Sequence, residues 1–355
     1  MLSRILISFL VLYCGSAAPA FAQAGDLAYV SVEKPKISGQ APVLAAGTFL
    51  AGVNYPWYNY GSDFGSNAWG HQGVSKPEVR AAVAADFAYL SSKGVKAVRW
   101  FLLCDGRAGL DFDKNGLVTG VNPIFYDDLD AALAVAQGQG LKLILVLFDF
   151  HMLDEAKMVN GVQTGGRANL IRDAKAADSL FVNALEPILK KYGGHPAVLA
   201  WEVMNEPELR MKGSPHPLVR SLFAFDAMYA FARRVAAAVH AGGGRVTLGS
   251  YRRGTVAQWK GVGLDFYQYH YYDYMSWLFG EGLDVPYASL GLDKPCLLGE
   301  YPTKGAKLGI EGYLGTMQRD GFAGAFAWSL RATDDYSDFK SVADRFAVWA
   351  NGSPQ

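Results

Sequence analysis

The chain has 355 residues, 51% of them hydrophobic, and its 33 basic side chains balance its 33 acidic ones. That neutrality argues against nucleic acid or an anionic membrane surface as the main partner and suits a neutral polymer. The apolar content is ample for a large core, and no internal repeat, low-complexity tract or charged linker interrupts the sequence.

The first residues read as a targeting segment. Arg4 supplies a positive n-region, residues 5–13 an apolar core, and Ala20-Phe21-Ala22 a small-x-small cleavage site. The apolar run is too short to span a bilayer. A lipoprotein signal with Cys14 as the modified residue ranks second, because Leu12-Tyr13 is bulky where such sites favour small residues. The expected organisation is a signal peptide over 1–22 and a single folded domain over 23–355, starting near Gln23 and exported to a periplasm or to the exterior.

Short apolar strand candidates then alternate with amphipathic helix candidates, the pattern of parallel βα units. Val30-Ser31-Val32 reads as a small cap before the first strand, 48–54. Ser75 precedes Lys76-Pro77-Glu78, a helix start with proline in the first turn and Val79, Val83 and Phe87 on one face. The second strand is 97–102. After it, Asp111 to Gly116 begins like a calcium loop, but position twelve is Asn122 rather than glutamate, so a hairpin turned at Asn115-Gly116 is expected instead. Asp127 or Asp128 opens the next helix, and 142–148 is the third strand. Leu180, Leu185, Ile188 and Leu189 mark a helix that ends at Gly193-Gly194, before the fourth strand, 198–204. A long helix from 223 to 239 leads to the fifth strand, 245–248, whose following helix, 254–260, is short. The remaining strands are 265–270, 295–300 and 324–330.

Eight such units in one chain predict a single-domain α/β fold, the (β/α)8 TIM barrel. An open doubly-wound sheet is the alternative, but no glycine-rich phosphate loop follows the first strand. On a barrel, Cys104 lies past a strand end and Cys296 at a strand start. Two unpaired thiols and no metal site are therefore expected.

Catalytic groups of such barrels gather at the C-terminal strand ends. Those ends carry Arg99, His151, Asn205-Glu206, His270 with Tyr272, Glu300 and Trp328. Singly, each has an ordinary reading: a solvated turn for Asn-Glu-Pro, a helix cap for Glu300, core packing for the histidines and the tryptophan. None of those readings predicts one such residue at strand end after strand end. Two glutamates at the ends of different strands are what acid-base chemistry on a sugar bond requires.

In this order, Arg99, His151, Asn205, Glu206, His270, Tyr272, Glu300 and Trp328 resemble the pattern of the family 5 glycoside hydrolases, the retaining (β/α)8 clan GH-A group that holds many cellulases and β-mannanases. The match runs through nearly the whole chain after residue 22. It departs in Tyr301-Pro302, where Phe-Gly or Trp-Gly is common, and in the short fifth unit, which bears on the subfamily rather than the mechanism. The resemblance implies Glu206 as acid/base and Glu300 as nucleophile. It also implies Arg99 and Tyr272 as partners of Glu300, His270 as the residue orienting Glu206, Asn205 on the sugar 2-hydroxyl, His151 on another hydroxyl, and Trp328 as the sugar floor. Trp57, Trp69 and Trp277 are further candidates for sugar-stacking subsites, because aromatic faces suit the C–H faces of pyranose rings.

The expectation is an exported retaining β-glycoside hydrolase, monomeric and cofactor-free, cleaving a β-linked polysaccharide or oligosaccharide as an endo-β-1,4-glucanase or β-mannanase does. An exo-acting β-glycosidase is the runner-up; a barrel that only binds carbohydrate ranks below it, since both catalytic glutamates are present, and a transglycosylase using the same residues is a third alternative.

Overall fold

The computed structural model describes residue 44, residues 48–212 and residues 223–352, all within one compact unit, Ile37–Gln355. The expected signal segment, Cys14 and Val30-Ser31-Val32 lie outside the described residues.

Eight parallel strands close into a barrel in simple sequential order. They are β1 (Leu50–Asn54), β2 (Ala97–Phe101), β3 (Lys142–Val146), β4 (Val198–Asn205), β5 (Val246–Ser250), β6 (Tyr267–His270), β7 (Cys296–Pro302) and β8 (Gly324–Trp328). Each expected strand is present, within a residue or two of its sequence bounds. The strands are buried on both faces because the barrel lumen is packed on one side and the helices cover the other.

Inside the barrel, side chains stack in layers. Ala97, Ile144, Ala200, Phe266, Leu297 and Phe326 form an apolar floor. Two residues further along three of those strands stand Arg99, Glu202 and Gln268, all fully buried. The alternate positions, Val98, Leu143, Leu145, Trp201 and Tyr269 among them, join the main core with the helices.

Strict alternation fails in two places, and both matter for the site. Between β6 and β7, Tyr269 pairs with Leu298 but His270 pairs with Glu300, so Gly299 is an extra residue on β7. On β4 the register against β5 slips between Glu202 and Asn205. A bulge turns the side chains beyond it to the other face. Leu297 and Glu300 therefore both face the lumen, as do Glu202 and Asn205.

The helices are Pro77–Ser92, Pro123–Gly138, Phe225–Ala241, Ile310–Arg319 and Phe339–Gly352, with a π turn, Phe181–Leu185, joining Ala174–Leu180 to Glu186–Tyr192. Two expected caps are corrected. Neither Asp127 nor Asp128 opens the second helix; Asn122 does, accepting from the Ile124 N–H at 3.2 Å. Asp128 is buried inside that helix, where its carboxylate accepts from Gly65 N at 2.8 Å, Ser75 N at 2.7 Å and Ser75 Oγ at 2.6 Å. Ser75 thus ties a loop to its neighbour, and extended Lys76 precedes Pro77 without a side-chain cap.

The fifth unit is short, as expected, with only Arg253–Val256 and Ala257–Trp259 after β5. The Asp111–Gly116 stretch is a hairpin, in which Gly116 takes φ 78° and Asp113 accepts from Asn115 N at 2.8 Å and Leu117 N at 2.9 Å. Cys104 and Cys296 are both free and buried. Among the described residues no helix is long and apolar enough to cross a membrane.

The floor depends on Gly52, where an added Cβ would run into the Phe326 ring. Gly52→Ala is expected to lower the unfolding free energy by about 1–3 kcal/mol through overpacking, read by urea denaturation. A neutral result would show that the Phe326 ring is free to turn aside.

Candidate active site

The site grows out of the polar layer above the apolar floor. Arg99, on β2, is fully buried, and all five of its N–H groups are used. Nε and Nη2 grip Glu202 at 2.7 and 2.6 Å. Nη1 donates to Glu300 at 2.7 Å and to Asn54 at 3.0 Å, and Nη2 also donates to Asn205 at 2.8 Å. One guanidinium therefore fixes side chains from β1, β4 and β7 at once.

Glu206 follows the β4 bulge in the left-handed region, at φ 45°, and its backbone N–H is held by Gly249 O at 2.7 Å. Its Oε1 lies 2.7 Å from His270 Nδ1, and the same nitrogen is 3.4 Å from Glu300 Oε1. Tyr272 donates to the other Glu300 oxygen, Oε2, at 2.6 Å. Glu206, His270 and Glu300 each offer an atom within 4.8 Å of the others. That spacing is of the order found for carboxyl pairs in retaining glycosidases, about 5 Å.

The electrostatics separate the two carboxyls. Burial pushes Glu206 well above the ordinary carboxyl range, and the neighbouring charge of Glu300 pushes it further. Burial raises Glu300 too, to about 7, but Arg99 and the Tyr272 hydroxyl pull against it. Glu300 thus holds two strong donors to its anion, and the proton of the pair rests on Glu206. Burial, with Arg99 nearby, drives His270 well below its usual value, so the imidazole is neutral. Tyr272 is pushed well above the usual phenol range by burial and by Glu300, and stays a donor.

Glu206, His270 and Glu300 are also the one grouping of metal-ligand residue types found among the described residues. A guanidinium 2.7 Å from Glu300 disfavours a cation there, and the hydrogen bonds just described already engage the ligand atoms.

The structure brings together Arg99, Asn205, Glu206, His270, Tyr272 and Glu300. Trp328 is nearby and nearly buried, with its indole N–H on Asp334 at 2.8 Å. Trp57 meets it edge-on at 6.2 Å and packs with Tyr60 at 4.8 Å and Phe101 at 6.0 Å, which makes one aromatic wall. A second wall starts from Tyr272, with Tyr336 at 4.9 Å and Tyr274 stacked at 6.0 Å.

His151, Trp69 and Trp277 are not brought to the carboxyls. His151 sits half-exposed on the short helical turn Phe150–Leu153, with Nδ1 on Asp154 at 2.7 Å. The residue after β3 that does reach the site is Asp149. It accepts from Asn205 Nδ2 at 3.3 Å and from Tyr60 at 3.0 Å. Trp69 is held by the hairpin after β3, donating to Val159 O at 3.1 Å and Asn160 O at 3.2 Å. Trp277 projects into solvent, 70% exposed.

Sequence reasoning missed Asn54, Asp149, Glu202 and Gln268. A signal existed for two of them. Glu202 is a charge inside an apolar strand, and Gln268 stands two residues before His270, on the same face.

No family model matches the chain. It is 25% identical over 319 residues to the mannan endo-1,4-beta-mannosidase of Mytilus edulis, covering 79% of this chain and 83% of that protein. It is 27% identical over 335 residues to the mannan endo-1,4-beta-mannosidase of Cryptopygus antarcticus, covering 82% of each. Among solved structures, the endo-1,4-beta-mannanase from Eisenia fetida is similar with a TM-score of 0.74 at 24% identity, over 88% of this chain and 93% of that one. The expected (β/α)8 barrel and the resemblance to family 5 glycoside hydrolases are both borne out.

Replacing Arg99 leaves Glu202 and Glu300 buried without their cation. Arg99→Met is expected to cost about 3–5 kcal/mol of unfolding free energy near neutral pH. Arg99 holds the Glu300 pKa down, so without it native Glu300 binds its proton more tightly. The deficit therefore shrinks as pH falls and that carboxyl takes up its proton. Denaturation at several pH values reads this, and a deficit independent of pH would contradict it.

Proposed function

We propose that this chain, a glycoside hydrolase of the family 5 type, is an endo-acting β-1,4-mannanase that cleaves with retention. The observation that carries the chemistry is the pair Glu206 and Glu300, close enough to share His270 Nδ1 yet opposed in what they bind. The choice of mannan over other β-linked glycans is supported by the two relatives above, both mannan endo-1,4-beta-mannosidases matched over about four-fifths of their length.

The mechanism follows from the donors. Glu300, held as an anion by Arg99 and Tyr272, attacks the anomeric carbon from one face. Glu206 gives its proton to the glycosidic oxygen, the leaving sugar departs, and a glycosyl ester on Glu300 remains. Glu206, now a base, takes a proton from water, and the resulting hydroxide displaces the ester with a second inversion. Asn205, oriented by Arg99 through its carbonyl oxygen and by Asp149 through one amide hydrogen, presents its other N–H toward the sugar 2-hydroxyl. Trp328 and Trp57 supply the apolar wall for the ring in the cleft. The substrate partner is a β-linked polysaccharide, and the protein acts as a monomer outside the cytoplasm once residues 1–22 are removed.

Three outcomes are expected. On soluble mannan, wild type releases a ladder of manno-oligosaccharides, whereas release of mannose alone would point to exo action. Glu300→Ala abolishes turnover, and Glu206→Ala loses far more activity on a poor leaving group than on an activated aryl mannoside. Equal losses on both leaving groups would remove Glu206 from the role of acid.

The pH profile of kcat/KM is expected to be bell-shaped. Its acid limb is protonation of Glu300. Its alkaline limb is loss of the Glu206 proton, and lies above the ordinary carboxylate range because burial and Glu300 both hold that proton in place. An enzyme already inactive at neutral pH would contradict this. N-terminal sequencing of exported protein is expected to begin at Gln23, and a lipid-modified Cys14 would overturn the cleavage site.

A further inference from the structure

Two buried polar atoms near the site have no hydrogen-bond partner: His270 Nε2 and Gln268 Oε1. They face the same small space. A Cβ added to Gly299 would lie 2.6 Å from Gln268 Oε1 and 3.1 Å from His270 Nε2, so the bulge glycine keeps that space open between them. A buried N–H without an acceptor, or an amide oxygen without a donor, costs about 1–3 kcal/mol. A small turn of the amide toward the imidazole pairs the two atoms directly.

The orientation of the amide is determined by its other end. Gln268 Nε2 donates to Glu202 Oε2 at 2.6 Å, and Glu202 is itself gripped by Arg99. A carboxylate paired with a guanidinium accepts and does not donate. The NH2 group must therefore face Glu202, and the carbonyl oxygen must face His270. An oxygen there calls for a hydrogen on Nε2.

We propose that Gln268 is a positioning residue that sets the tautomer of His270, with the hydrogen on Nε2 and the lone pair on Nδ1. In the 2.7 Å contact Glu206 is then the donor and His270 Nδ1 the acceptor. Glu206 keeps its proton because the neutral carboxyl has a hydrogen bond that the carboxylate lacks. The opposite tautomer would stabilise the carboxylate and discharge the acid. Arg99 thus acts on both carboxyls: directly on Glu300 to hold an anion, and through Glu202, Gln268 and His270 on Glu206 to hold a proton. The inference rests on Glu206 being the acid, as proposed above.

Other charged and titratable groups also bear on Glu206 and His270. They are Arg99 from β2, Asp149 after β3, Glu202 and Glu208 on and after β4, Tyr251 after β5, Tyr272 and Tyr274 after β6, and Glu300 on β7. Gln268→Met changes none of them, although it takes one donor from Glu202. Gln268→Glu, when protonated, restores an O–H toward Glu202 and a carbonyl toward His270.

The direct test is 15N NMR of the wild-type enzyme labelled at histidine, with His270 assigned by loss of its signals in His270→Ala. The shifts are expected to place the hydrogen on Nε2; a hydrogen on Nδ1 would overturn the proposal. In Gln268→Met the His270 signals move toward the Nδ1–H form. Turnover falls about tenfold on the alkaline side of the pH profile and far less on the acid side, the effect of one hydrogen bond lost to the acid form. Gln268→Glu recovers turnover over the pH range in which its own carboxyl stays protonated against Glu202. An alkaline limb that does not move in Gln268→Met, with His270 unchanged, would also overturn the proposal. Failure of the acid assignment itself shows elsewhere, as equal losses of Glu206→Ala on both leaving groups.

Discussion

A guanidinium buried in the middle of a barrel is stable only if every N–H has an acceptor and its charge has a counter-charge. Arg99 meets both conditions, with Glu202 taking two bonds and Asn54, Asn205 and Glu300 one each. The rest of the site depends on this arrangement. Arg99, Glu202 and Glu300 together carry one negative charge when both carboxyls are ionised, and that surplus is what a third ionised glutamate at Glu206 would have to overcome. One proton shared by the pair is therefore the favoured state, and the donors on Glu300 decide which glutamate holds it.

The backbone does equal work in aiming these groups. Alternation along β7 would place Leu297 and Gly299 inward and Glu300 outward. The extra residue at Gly299 reverses this, bringing Glu300 into the lumen and sending Tyr301 outward to stack on Tyr313 at 5.0 Å. The bulge carbonyl does not go unpaired, because Asn54 Nδ2 donates to Gly299 O at 2.9 Å. Asn54 thus serves the bulge with its N–H and Arg99 with its oxygen. The slip on β4 does for Asn205 and Glu206 what Gly299 does for Glu300. Glycine is also required opposite the ion pair, since a Cβ at Gly249 would run into the Glu202 carboxylate.

The eight strands were legible because parallel strands buried on both faces are continuous apolar runs, and each one stands out between amphipathic helices. Glu206 and Glu300 were legible because a carboxylate that ends such a run has no packing reason to be there. The inner layer was harder to read. Glu202 and Gln268 lie within strands rather than at their ends, where a charged or amide group is easily passed over as one half of an alternation. The bulges were invisible because register is set by pairing partners, which a single strand does not reveal. His151 and Asp149 show the limit of counting along a loop: both follow β3 closely, and only the turn at Phe150 decides which faces Asn205. The misread cap at Asp128 has the same origin, since a carboxylate near a helix start can serve a neighbouring loop as easily as its own helix.

The central claim is that two carboxyls with ligand atoms within 4.8 Å, one protonated and one held ionised by Arg99, act by double displacement. The stereochemistry of the first product tests it most directly. Proton NMR of wild-type enzyme with a soluble manno-oligosaccharide, recorded before mutarotation, is predicted to show the β-anomer at the newly formed reducing end. An α-anomer at early times would mean single displacement by water, and would contradict both the role of Glu300 as nucleophile and the account of how Arg99 prepares it.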